Sequence, residues 1–200
     1  MAGLLTPVIK ALLTDQGFQG ASEALQVFGG YGYVRDTGIE QSLRDSRIAM
    51  IYEGTNEIQA IDLLQRKVLG DGGRALAEWQ HGVQTEAVRC EAAGLPEFSQ
   101  MLRDTIQSMN DALTQVRERS ATDNDCVPRV ADDWLKGVSY AMLGWAFAVS
   151  ARAASTHPDR QFAQQKLERM RYGLQWLMPQ AAVHWKRVRA GTWALPALSV

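Results

Sequence analysis

Cysteine is nearly absent from this 200-residue sequence, which holds only Cys90 and Cys126. Two thiols at no CxxC spacing exclude a small secreted disulfide framework. Histidine is almost as scarce. His81, His157 and His184 have no partner at ligand spacing, and there is no HExxH or Cys/His cluster, so no metal site is expected. Positive charge is not in excess: 21 Lys and Arg stand against 22 Asp and Glu, for a formal net charge of −1. The basic residues are also spread along the chain, so a nucleic-acid partner is not expected. Runs of β-branched residues with period two are missing. No apolar stretch reaches the roughly 20 residues of a membrane helix. The longest uncharged run, Gly137 to Ala151, reads as a buried helix and not as a membrane span. The opening "MAGLLTPVIKALLTD" has no charged region before its apolar stretch and does not read as a signal peptide. A reducing cytoplasm is the expected location, with Cys90 packing rather than reacting.

What remains is an ordinary globular composition, 46% hydrophobic and 22% charged, patterned almost throughout with periods of three and four. The fold class expected is therefore all-α. Thr6-Pro7 reads as a helix start. Val8, Leu12, Phe18, Ala21, Leu25 and Phe28 follow as a rough stripe that ends at Gly29-Gly30. A loop, "GGYGYVRDTG", leads to a short helix from about Ile39 to Met50. Asn56 to Leu69 reads as one helix with Ile58, Ile61, Leu64 and Val68 on one face. Asn56 is its expected N-cap, and Gln59 resembles the second half of a capping box.

The glycines of "GDGG" (residues 70–73) make the best boundary. Four amphipathic stretches follow. Arg74 to Ala93 carries Leu76, Trp79, Val83 and Ala87. Glu97 to Arg119 carries Phe98, Met101, Leu102, Met109, Leu113 and Val116. Val130 to Ala154 carries Trp134, Val138, Trp145 and Val149. Arg160 to about Arg189 carries Phe162, Met170, Leu177 and Val188, and Pro179 should kink or break it. Short links between such helices describe a bundle, with most tryptophans facing its core. The division expected is 1–73 and 74–200.

"GGYG" at 29–32 is not a dinucleotide loop. Arg35 stands where GxGxxG needs glycine, and the motif ends a helix instead of following a strand. Arg44, Asp45 and Arg47 in "SLRDSR" read as a solvated face with weak ion pairs, or as support for the loop that follows. That loop, "IYEGTNEIQ", carries Glu53. An acid near a helix start is usually a dipole partner. It is alternatively a general base, provided it is shielded from water, with Tyr52 and Ile51 as the candidate dry wall. Spacing alone does not decide between these.

"LQVFGGYGY", "SLRDSRI" and "IYEGTNEIQ", taken in that order and spacing, resemble the C-terminal α-domain of acyl-CoA dehydrogenases. The residues after "GDGG" are similar, by position and helical pattern, to the additional helical domain of a longer subfamily, which includes enzymes similar to 3-methylmercaptopropionyl-CoA dehydrogenase. The resemblance implies FAD-dependent oxidation of an acyl-CoA thioester to the 2,3-enoyl-CoA, with electrons passed to an electron-transfer flavoprotein. It implies that Glu53 is the base that removes the α proton, and that Gly54 lies against the acyl-CoA. Thr55, Asn56 and Glu57 would lie by the flavin cofactor, Glu57 being an acid where some relatives carry an amide. Gln26, Val27, Phe28, Gly29 and Gly30 would approach the adenine-dinucleotide part of FAD held mainly by a neighbouring subunit.

The family's N-terminal helical domain and middle β-domain have no counterpart in this sequence. The expectation is therefore a C-terminal piece of the dehydrogenase, inactive and without FAD when alone. The alternative is a non-catalytic helical interaction or oligomerisation module derived from the family. Either way, uncovered apolar faces at 8–28 and 58–68 should drive homo-oligomer formation.

Overall fold

The computed structural model describes residues 2–193, and these are helical, with no strand among them. Helix α1 runs over Ala2–Val27, α2 over Ile39–Ile48 and α3 over Asn56–Ile61. Short 3-10 turns at Gly29–Tyr33 and Arg35–Thr37 fill the segment expected as plain loop. After α3 the backbone widens into a π-helical segment, Asp62–Leu69. The larger bundle is α4 (Arg74–Ala92), α5 (Pro96–Ser120), α6 (Cys126–Ser155), α7 (Arg160–Trp176) and α8 (Pro179–Gly191).

Helix α1 does not start at Thr6-Pro7. It begins at Ala2, with Pro7 inside it. Proline has no N–H to offer the carbonyl four residues back. That carbonyl belongs to Gly3, and Lys67 of the π segment donates its ammonium to it instead. The apolar stripe also holds only at its start. Leu4, Pro7, Val8 and Ala11 are buried, but Val27 and Phe28 are exposed.

The bundle's ends follow local chemistry. Asp71 accepts from the amides of Gly73 (2.7 Å) and Ala75 (3.0 Å), and so caps α4. Gly94, at φ +73°, turns the chain out of α4, and Pro96 opens α5. Asp159 caps α7 through the amide of Phe162, 3.0 Å away. Pro179 breaks the last stretch outright, and the expected single helix is two, α7 and α8. Phe162 of α7 and Leu177 in the break, both expected inside, are exposed.

Helix α6 is the axis of the molecule and packs against α1, α3, α4, α5, α7, α8 and the π segment. Its small residues make this close approach possible. A Cβ at Gly137 would stand 2.7 Å from the Trp185 ring, and one at Gly144 would stand 2.8 Å from Met178. Trp185 meets Trp134 edge-on, with ring centroids 5.4 Å apart, and Trp79 meets Trp145 at 6.3 Å. Trp176 and Trp193 face solvent and are exceptions to the expected inward pattern. One contiguous core runs from Leu4 and Val8 through Leu63, Leu64 and Val68 to Trp185 and Val188, so the glycine junction does not divide the packing.

The buried Glu86 of α4 receives Arg152 of α6, with Nε to Oε1 at 2.5 Å and Nη2 to Oε2 at 3.2 Å. Both cysteines are buried and free. No helix among the described residues is long and apolar enough to cross a membrane, and no group of His, Cys, Asp and Glu there could hold a metal ion.

Candidate functional site

The turn that ends α2 is closed by the amides of Ile51 and Tyr52, which both donate to the Ile48 carbonyl. Two left-handed residues then reverse the chain, Glu53 at φ +54° and Gly54 at φ +88°. Glu53 is the only non-glycine residue with positive φ among the described residues. An L-residue there is strained by about 1 kcal/mol or more. Something must therefore hold it, and both carbonyls of the pair are tied. Gln59 Nε2 reaches the Glu53 carbonyl at 3.4 Å, and Lys10 Nζ donates to the Gly54 carbonyl at 2.9 Å. Gly54 is required by its backbone, and a Cβ there would also press on Gln59 Nε2 at 3.0 Å.

The expected N-cap is displaced by one residue. Thr55 caps α3, its hydroxyl accepting from the Ile58 amide at 3.3 Å. Asn56 is the first helical residue and is buried. Its Nδ2 donates to Thr14 Oγ1 (3.1 Å) and Asp15 Oδ1 (2.8 Å), and its Oδ1 accepts from Lys10 Nζ at 2.7 Å. Burial raises the Asp15 pKa above the usual carboxylate range, against the hydrogen bond from Asn56. Gln59 completes no capping box, because it turns back to Glu53. Ile58 points outward and is exposed, in place of its expected seat in the core. Glu57 is held below the ordinary range, first by its own backbone amide and then by the Thr55 hydroxyl.

Ile51 and Tyr52 supply no dry wall. They are 47% and 52% exposed, and Glu53 itself is exposed. This chain therefore presents the carboxylate on a rigid turn but does not shield it. Arg44 pairs with Glu40 of its own helix (2.7 Å), and Arg47 lies over the Phe18 ring at 5.7 Å. A recess of about 260 Å³ opens beside the turn between Arg47, Glu57 and Lys136, so α6 contributes to its wall.

Gln26, Val27, Phe28, Gly29 and Gly30 are all exposed and run from the end of α1 into the 3-10 turn that follows it. Gly29, at φ +59°, has open space where a Cβ would stand. A flat group from outside the chain has room to lie against this backbone. Asn56 fits that use less well, since its amide is spent on α1. Lys10, Thr14 and Asp15 were not singled out from sequence. Lys10 and Thr14 stand four residues apart, a spacing that a solvated helix face carries equally.

Residues 1–68 match the family described as acyl-CoA dehydrogenase, C-terminal domain. Residues 76–199 match that described as acetyl-CoA dehydrogenase C-terminal like. The chain belongs to the acyl-CoA dehydrogenase family. It is similar to 3-methylmercaptopropionyl-CoA dehydrogenase of Ruegeria pomeroyi, at 33% identity over 84% of this chain and 29% of that protein. It is also similar to the broad-specificity linear acyl-CoA dehydrogenase FadE5 of Mycobacterium tuberculosis, at 32% over 82% of this chain and 29% of that protein. An acyl-CoA dehydrogenase of Bacillus subtilis is 43% identical over 30% of this chain and 16% of its own length. The chain thus spans under a third of the length of the curated relatives it matches.

Proposed function

We propose that this chain is the C-terminal helical part of an FAD-dependent acyl-CoA dehydrogenase in which Glu53 removes the α proton of the thioester. The observation that carries the proposal is the backbone at Glu53. An acid is kept in a left-handed turn that disfavours it, and its own and the following carbonyl are both tied down. A helix-dipole partner needs no such conformation. The division into residues 1–73 and 74–200 is part of the same reading, with the second segment buttressing the first through α6.

In this reading a thioester α-carbon is presented to the Glu53 carboxylate, which takes up the proton. Gly54 leaves room for the acyl group beside it. FAD, when bound, supplies the acceptor for the hydride that leaves the β-carbon. Gln26 to Gly30 would flank its adenine-dinucleotide part, and Thr55 to Glu57 would lie nearer the flavin. Because Glu53 is open to water here, the shielding that makes a carboxylate an effective base would come from protein beyond this chain. On its own the chain is inactive and colourless, and the electron-transfer flavoprotein is a partner of the assembled enzyme only.

A second reading, a non-catalytic assembly module, is favoured by one feature. Ile9, Leu13, Val27, Phe28, Tyr31 and Tyr33 are large, apolar or aromatic, and exposed along α1 and the 3-10 turn that follows it. The experiment that separates the readings is Glu53→Gln in the assembled flavoenzyme. Loss of dehydrogenation with flavin content retained supports the base; undiminished turnover removes it. Light scattering tests assembly: a homo-oligomer is expected, and a monomer at moderate concentration counts against association.

A further inference from the structure

We infer that Lys10 is a positioning residue for the base, a side chain on α1 that fixes the direction of Glu53 by clamping the turn on which it stands. This rests on the reading of Glu53 above. Lys10 Nζ ties the chain just after Glu53 to α1 at two points. It donates to the Gly54 carbonyl, immediately after Glu53, and to Asn56 Oδ1, at the start of α3. The two acceptors differ in kind. The first fixes the peptide plane between Gly54 and Thr55, and so the ψ of Gly54, the residue next to the base. The second locks an amide whose other end is already held by Thr14 and Asp15 of the same helix. The Asn56 backbone amide donates to the Met50 carbonyl at 3.2 Å, so the clamp also closes the loop on its α2 side.

Lys10 does not serve its own helix. A lysine supporting α1 alone would pair with acids one turn away, whereas this one reaches 44 and 46 residues along the chain. It is half-buried, so the ordering of its long side chain is offset by bonds it makes nowhere else. Its two hydrogen bonds go to Gly54 and Asn56 and not to the Glu53 carboxylate. Its effect passes through the backbone and not through charge on the base.

The first test needs only the 200-residue chain. In Lys10→Met, amide hydrogen exchange at Asn56 should rise about tenfold or more, while core amides such as those of Leu102 and Trp134 keep their protection. Lys10→Arg, whose guanidinium keeps donors for both acceptors, should recover part of it. In the unaltered chain, the Lys10 ammonium protons should exchange more slowly with water than those of the exposed Lys186. Unchanged Asn56 exchange in Lys10→Met, or a Lys10 ammonium indistinguishable from that of Lys186, overturns the clamp.

The second test uses the assembled flavoenzyme. Lys10→Met should lower kcat by about 10²-fold, the scale of an ångström-level misplacement. KM should stay within about threefold, because uniform binding is untouched. If exchange rises but kcat does not fall, the clamp holds a turn that positions no base, and the positioning role is lost. If instead Glu53→Gln is fully active, the base reading fails by itself, whatever the exchange result.

Discussion

Removing Arg152 should cost far more than removing the charge of Glu86, although the two form one ion pair. The Glu86 side chain is 4% exposed and the Arg152 side chain 33%. In Arg152→Met the carboxylate stays in the core. Its remaining neighbours are the Cys90 thiol at 3.9 Å and Arg89 at 3.8 Å, the latter held mostly in water. An uncompensated buried charge costs about 3–5 kcal/mol, and the partial help from Arg89 places this variant near about 3 kcal/mol. In Glu86→Gln a neutral amide replaces the acid, and Arg152 regains water over the third of its surface already open. The expected loss is about 1 kcal/mol, the scale of one hydrogen bond. The double change Glu86→Leu with Arg152→Met leaves neither charge and should lie within about 1 kcal/mol of the original chain. Urea unfolding at pH 7, fitted with a common slope, measures all three. The reasoning is refuted if Glu86→Gln costs as much as Arg152→Met, or if the double variant shows the sum of separate losses.

Gly137→Ala should destabilise by about 1–3 kcal/mol, because its Cβ meets the Trp185 ring at 2.7 Å. Gly82→Ala is the matched control. It lies inside α4 with nothing within 4 Å of its Cβ and should stabilise by about 0.5–1 kcal/mol in the same urea assay. Thr55→Ala should cost about 1 kcal/mol through loss of the α3 cap, and Thr55→Ser should restore it. Burial, then the nearby Glu86 charge, pushes the Cys90 thiol up from 9.0 to about 11. The folded chain thus keeps a proton that the unfolded chain releases, so stability should fall as pH rises from about 9 to 11 and level off beyond. Replacing Cys90 by Ala should flatten that decline, and iodoacetamide at pH 8 should leave the folded Cys90 unmodified.

The bundle was legible because its punctuation is local. "GDGG", "GLP" and Pro179 each stop or start a helix through backbone geometry alone, and α4 and α5 lie within a residue or two of their expected bounds. The N-terminal third was harder for two physical reasons. Pro7 is tolerated inside α1 because Lys67, sixty residues away, takes the carbonyl it strands, and no local rule sees that compensation. The π segment breaks the 3.6-residue period, so a face projected from Val68 back to Ile58 drifts off the core. The candidate acid stood out by its place before a helix, but only family resemblance favoured the base over a helix-dipole partner. What holds it was not visible, since Lys10 and Asn56 meet across a separation that periodicity does not encode.

The left-handed backbone at Glu53 has a consequence for how such a sequence would drift. Glycine tolerates this conformation without a steric penalty, and asparagine tolerates it better than glutamate. A chain released from any need for an acid would gain stability by exchanging residue 53 for either, through single changes that disturb no packing, because the side chain is exposed. The present sequence has not relaxed in that direction. Strain kept at an open surface position does not serve the core; under the proposed function it is the cost of holding an acid where the thioester would meet it.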